Sequence, residues 1–143
     1  THAPYLRIDT IDQAIVSCGN IDPIMEEGYE TAYRVAAENL RISQQIVADS
    51  VNPLEITREA WAEVAREANV RLINVEVICS DEVEHRRRVE TRSSDIPDLL
   101  LPTWDKIKNR EYQPWTQSRI VVDTAGRSIE DCVGQLMSKL AAA

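Results

Sequence analysis

The sequence predicts an α/β protein, a sandwich built on a mainly parallel sheet. Three observations lead there. Short apolar runs alternate with amphipathic stretches along all 143 residues. Their order reads strand, helix, helix, strand, helix, strand, helix, helix, strand, helix, the signature of parallel strands joined by helical crossovers. Three of the runs stop at an aspartate: Ile8–Asp9, Ala48–Asp49 and Val122–Asp123.

Each element has a local reason. Tyr5 to Ile8 is a short strand followed by Asp9, and Thr10 with Gln13 three residues on reads as the cap of a first helix with Ile11, Ala14 and Ile15 on its apolar side. Residues 18–27, with Pro23, read as a loop. From Gly28 to Gln44, Tyr29, Tyr33, Ala36, Ala37 and Leu40 recur at helical spacing. Ile46 to Ala48 is a very short buried strand ending at Asp49, and 50–53 is a turn. A helix from about Thr57 presents Trp61, Val64, Ala65 and Ala68 on one face. Leu72 to Cys79 is the longest strand, and Ser80 is placed to cap the next helix, with Asp81 and Glu82 at its positive end. That helix carries His85, Arg86, Arg87, Arg88 and Arg92. Residues 93–102 are irregular between Pro97 and Pro102, and Thr103 to about Glu111 is helical until Pro114 breaks the pattern. Ile120 to Val122 is the last strand. Ser128, with Asp131 three on, caps a final helix whose stripe of Ile129, Cys132, Val133, Leu136, Met137 and Leu140 is the cleanest in the chain.

Composition bounds the function. The length suits one domain, 1–143, with a real core. The net charge of −8 argues against a general nucleic-acid or membrane-surface binder, leaving only local basic patches. No apolar run approaches a membrane span, and no signal-peptide pattern opens the chain. Three widely spaced cysteines without a C-x-x-C fit reduced thiols and a cytoplasmic setting. The two histidines, His2 and His85, form no metal cluster alone. The four glycines rule out both G-x-x-x-x-G-K-[ST] and G-x-G-x-x-G within these residues.

The candidate chemistry lies at strand ends, where open α/β sheets bind ligands. Asp9, Asp49 and Asp123 on one sheet edge would line a crevice with carboxylates, although aspartate also caps helices and begins turns. Apolar residues followed by Asp49 match the Walker-B arrangement, whose carboxylate orders Mg²⁺ and its waters. Asn52 could hold a substrate oxygen, or simply serve an Asx-type turn. Arg88 and Arg92, four apart, would share a helix face as a clamp on a polyanion requires, or form a solvated face with Glu84–Arg88 pairing. Trp104, Tyr112 and Trp115 suit core packing, or packing on the arginine segment, better than base stacking.

Five strings together carry a family likeness: Leu6-Arg-Ile-Asp-Thr-Ile-Asp-Gln, Val47-Ala-Asp-Ser-Val-Asn-Pro, His85-Arg-Arg-Arg-Val-Glu-Thr-Arg, Pro102-Thr-Trp and Arg110-Glu-Tyr-Gln-Pro-Trp. From about Pro4 to Leu140 the chain resembles the P-loop kinases often labelled AAA-family ATPases, which are similar to the gluconate kinase, chloramphenicol phosphotransferase and polynucleotide 5′-kinase groups. The resemblance implies a three-layer α/β/α fold and an ATP- and Mg²⁺-dependent phosphotransferase acting on a hydroxyl of a small molecule. It implies that Asp9 accepts the substrate hydroxyl's proton, that Asp49 is the Walker-B aspartate, and that Asn52 lies on the substrate side. It makes Arg88 and Arg92 lid arginines within a lid of about residues 81–102, and Asp123, Thr124 and Gly126 part of the loop bordering the adenine. Such kinases open with a strand, the phosphate loop and a helix, so a strand and G-x-x-x-x-G-K-[ST] are expected upstream of Thr1. Without them the sheet would lack its central strand, and the chain alone is expected to be inactive. The alternatives are a non-catalytic binding remnant of the same fold and a polynucleotide 5′-kinase-like enzyme, the latter disfavoured by the acidic balance.

Overall fold

The computed structural model describes residues 3–19, 26–42 and 45–142. Among them the elements run β1 (Tyr5–Arg7), α1 (Ile8–Ser17), α2 (Glu27–Ile42), β2 (Val47–Asp49), α3 (Glu55–Glu67), β3 (Val75–Ile78), α4 (Glu82–Thr91), α5 (Trp104–Lys108), β4 (Ile120–Asp123) and α6 (Ile129–Ala142). This is the order read from the sequence. The expected loop at 18–27 and the end of the helix drawn to Gln44 lie largely outside the described residues. No helix among the described residues is long and apolar enough to cross a membrane.

The chain forms two compact units. The first comprises 1–72, 94–100 and 111–114; the second comprises 73–93, 101–110 and 115–143. In the first, β1 and β2 pair in parallel, Tyr5 against Val47 and Arg7 against Asp49. Its core is Ile8, Ala32, Ala36 and Trp61, with Leu6, Ile11, Tyr33 and Val64 packed around them. Alanine at 32 and 36 lets helices approach closely, and Tyr33 fills the remaining space by meeting Trp61 edge to face, centroids 4.7 Å apart. The Tyr33 hydroxyl stays satisfied by donating to the Thr57 carbonyl at 3.2 Å.

In the second unit, β3 and β4 pair in parallel from Val75–Ile120 to Ile78–Asp123. Val122 is buried there. Reciprocal bonds between Ser128 and Asp131 start α6 as expected: the Asp131 N–H donates to Ser128 Oγ at 3.1 Å and the hydroxyl to Asp131 Oδ2 at 2.9 Å.

Several boundaries move, each for a physical reason. β1 stops at Arg7 because only three residues pair with β2, and Ile8 turns inward as core; α1 therefore starts at Ile8 with no side-chain cap, not at Thr10. α3 starts at Glu55 rather than Thr57 because its first N–H is capped from a distance, donating to Gln113 Oε1 at 2.7 Å. The cap of α4 is Asp81, which accepts the Glu84 N–H at 2.9 Å, rather than Ser80. β3 is shorter than 72–79, matching the four residues of β4, and α5 ends at Lys108 instead of near Glu111. β2, expected to be buried, is exposed along its length because β1 is its one strand partner among the described residues. The α6 stripe is only partly covered: Cys132, Leu136 and Leu140 are half-buried, whereas Ile129, Val133 and Met137 are exposed.

Candidate functional site

Asp9 is an exposed residue in the first turn of α1 rather than at a strand end, and carries no hydrogen bond among the described residues. Three residues on, Asp12 is drawn inward. Its Oδ1 is buried without a hydrogen-bond partner, and burial, then the nearby Asp9 and Glu27 carboxylates, push its pKa up. Its closeness to α2 explains Gly28: a Cβ there would collide with the Asp12 carboxylate.

Tyr29, one residue further, joins this group to the turn after β2. Its hydroxyl accepts the Asn52 N–H at 3.1 Å. Burial raises the Tyr29 pKa, the Asn52 N–H and Ser50 oppose that rise, and the nearby Asp12 and Asp9 carboxylates add to it. Asn52 has φ 45°, in the left-handed region, and its side-chain Oδ1 is buried without a partner. Tyr29 bonds the Asn52 turn directly, while Asp9 reaches Tyr29 only through its charge. Asp12 Oδ1 and Asn52 Oδ1 are both buried without a partner. Asp49 ends β2, exposed, with Oδ2 accepting the Tyr5 hydroxyl; that bond is the main reason the Tyr5 pKa rises to about 12. Its Oδ1 has no hydrogen bond among the described residues.

In the second unit, Arg88 and the loop after β4 are joined. Arg88 donates to Thr124 Oγ1 at 3.0 Å and to the Thr124 carbonyl at 3.1 Å. Glu84 accepts from Arg88 at 2.5 Å and from the Gly126 N–H at 2.8 Å, the latter being the larger cause of its lowered pKa. Gly126 has φ 65°, which suits the turn that aims this N–H. Asp123 Oδ1 accepts the Ser80 and Ala125 N–H groups at 3.0 and 3.1 Å; its pKa is lowered chiefly by hydrogen bonding to Ser80. Its carboxylate is thus committed to turn chemistry. Asp49 and Asp123 end strands of two different sheets, so the single aspartate-lined edge is not what the described residues form.

Arg92 is the C-cap of α4: its N–H still donates to the Arg88 carbonyl at 3.0 Å, so the two arginines follow one helical turn apart, and its ψ of 150° redirects only the chain beyond it. The chain turns away because Ser94 Oγ bonds locally to the Ile96 N–H at 3.0 Å instead of extending the helix. Arg92 is exposed and has no partner among the described residues. The expected lid span divides: α4 belongs to the second unit and residues 94–100 to the first, where both carboxylate oxygens of Asp95 take Arg7 Nη1 at 2.9 Å. The aromatics pack rather than stack in a row: Trp104 meets His85 edge to face at 5.2 Å, Tyr112 lies under Arg58, and Trp115 under Arg119. Sequence reasoning missed Asp12 and Tyr29 as site residues, whereas the Glu84–Arg88 pair was expected from its i, i+4 spacing and is formed. Asp12 was visible as the residue three after Asp9 on one helix face; Tyr29 had no local signal for a site.

No protein-family profile matches the chain. No curated protein matches it either. A crystal structure from Chloroflexus aurantiacus described as a "putative kinase" is similar in fold, with a TM-score of 0.63 and 16% identity, over 98% of this chain and 82% of that one. The chain therefore has a mixed α/β fold of the kind that kinase has.

Proposed function

We propose that this chain is the acceptor- and lid-bearing part of a P-loop kinase that moves the γ-phosphoryl group of ATP to a hydroxyl of a small molecule. The observation that carries this reading is the fold likeness over 98% of the chain to a protein described as a kinase. The placement of Asp12 against Gly28 and the bond from the Asn52 N–H to Tyr29, with Asp9 one turn before Asp12, support it, because a phosphoryl acceptor needs a carboxylate to take its proton and fixed groups to orient its oxygen. Asp9, exposed and unengaged, would accept that proton. Asn52, its Oδ1 buried, would hold a substrate oxygen through its side-chain NH2.

Asp49 fits the role of a Mg²⁺ carboxylate, since such ions take one or two carboxylates with the remaining ligands from phosphates and water, and its Oδ1 is unengaged. The metal would bridge the phosphates and neutralise developing charge. Arg92, unpaired, would contribute positive charge to the phosphates directly, whereas Arg88 would first have to leave Thr124 and Glu84. Thr124 and Gly126 would border the nucleotide base. The Lys and backbone amides of a phosphate loop belong to this reading as a segment outside the 143 residues.

The test is phosphoryl transfer from γ-labelled ATP, with and without Mg²⁺, by the full-length protein against a panel of sugars, amino alcohols and 5′-hydroxyl oligonucleotides. Mg²⁺-dependent labelling of a small hydroxyl compound is the expected result. Labelling of oligonucleotides alone would move the acceptor to nucleic acid, and no labelling, in a protein whose coding sequence lacks the phosphate loop, would leave a binding module.

A further inference from the structure

Arg58 on α3 is 2% exposed, the largest fully buried side chain among the described residues. Burying a guanidinium is costly unless its donors are satisfied. Here Nε donates to the Asn52 carbonyl at 2.9 Å, Nη1 to Pro114 at 3.1 Å, and Nη2 to Pro53 at 3.1 Å and Gln113 at 2.8 Å. Its plane lies 5.2 Å from the Tyr112 ring centroid. Two backbone-linked bonds close the same knot: the Gln113 N–H donates to Pro53, at 2.8 Å, and Gln113 Oε1 accepts from Glu55.

These acceptors come from the two strings, Val47 to Pro53 and Arg110 to Trp115, that the sequence singled out independently. Only a flat fork of donors reaches four carbonyls from two segments at once; a lysine ammonium is a point donor. The carbonyl held by Nε belongs to Asn52, whose backbone lies in the left-handed region that asparagine tolerates and that a turn requires.

We propose that Arg58 is the positioning residue of the acceptor side: it locks the Asn52 turn, thereby aiming the Asn52 side chain, and fastens Tyr112–Pro114 beside that turn as part of the same wall. The proposal rests on the kinase reading for its catalytic consequence, but the lock itself does not. Arg58 then acts through Asn52, so its loss falls on the acceptor and not on the nucleotide.

The experiment compares full-length wild type, Arg58→Lys, Asn52→Ala and the double variant by amide hydrogen exchange and by steady-state kinetics. Arg58→Lys is chosen over Arg58→Met because it keeps the charge and most of the volume. Exchange at the Gln113 and Asn52 amides should quicken about tenfold in Arg58→Lys, with α2 protection unchanged. Acceptor KM should rise about tenfold while nucleotide KM stays constant, and the double variant should be no worse than Asn52→Ala, the signature of residues acting as a unit. Unchanged exchange at Gln113 and Asn52 overturns the lock. Equal increases in both KM values, or additive losses in the double variant, overturn the positioning role in favour of general stability. A wild type that transfers no phosphoryl group overturns the kinase reading instead, while quickened exchange still upholds the lock.

Discussion

Asp12 and Asp9 sit three residues apart on α1 and live in different electrostatic worlds. Asp12 Oδ1 is buried without a hydrogen bond, so desolvation raises its pKa above that of an ordinary aspartate, helped by Asp9 and Glu27. For an acid raised in the native state, folded protein binds more protons than unfolded protein between the two pKa values. Stability therefore falls as pH rises from the unfolded value through the folded one, and stays lower above it. Asp12→Asn, which removes the charge at nearly constant shape, should be more stable than wild type at neutral pH and should flatten that acid-side slope. Denaturant unfolding from pH 3 to 7 checks this, and a variant of lower stability at pH 7 would show that the charged form is the favoured one. Asp9 makes the opposite prediction. Being exposed and unengaged, it contributes little to stability, but under the kinase reading Asp9→Ala should reduce kcat by on the order of 10²-fold or more with nucleotide affinity unchanged. Near-normal turnover would reduce Asp9 to an acidic residue in a helix's first turn.

At the scale of elements, α4 carries two arginines one turn apart and gives them different surroundings. Arg88 is tied to Thr124 and Glu84, whereas the side chain of Arg92, at the C-cap, has no partner among the described residues. Arg88→Ala should therefore lower stability by about 1 kcal/mol, since a charged hydrogen bond is lost from a half-exposed site. Arg92→Ala should shift stability by no more than about 0.5 kcal/mol. If both serve the transferring phosphate, each should also lower kcat by on the order of 10²-fold. Chemical unfolding alongside turnover separates the two effects, and an Arg92→Ala variant of full activity would remove it from the lid. The same elements mark where sequence is readable. The Ser128 cap and the Trp61 face of α3 were legible because each depends on neighbours within four residues. The cap of α3 by Gln113, the Arg58 lock and the meeting of Tyr29 with Asn52 were not, because each joins residues far apart in the chain. Asn52 itself was legible as a turn residue, but nothing local says that its Oδ1 would be buried.

At the scale of the whole molecule, the parallel pairing and the element order were legible from periodicity, and the division into two compact units was not, because periodicity says which face of an element is apolar but not what covers it. The outcome is uneven. In the first unit Ile8, Ala32, Ala36, Trp61 and Ala65 are buried, locked by Tyr33 and by Arg58. In the second Val122 is the buried apolar residue among those described, while Val77, Ile129, Val133 and Met137 are exposed. Local stability follows buried apolar contact, and elements short of it open at lower free energy than the global transition. Amides of α2 and α3 should therefore exchange at least about tenfold more slowly than those of α4 and α6 under native conditions. Adding ATP and Mg²⁺ to the full-length protein should protect α4 and the Thr124–Gly126 loop first, since ligand that binds only the closed form stabilises the elements that opened. Native-state exchange read by mass spectrometry decides the matter. Equal protection in α2 and α6 would mean that the exposed α6 stripe is covered in solution, and nucleotide protection confined to α2 and α3 would place the nucleotide away from the loop after β4.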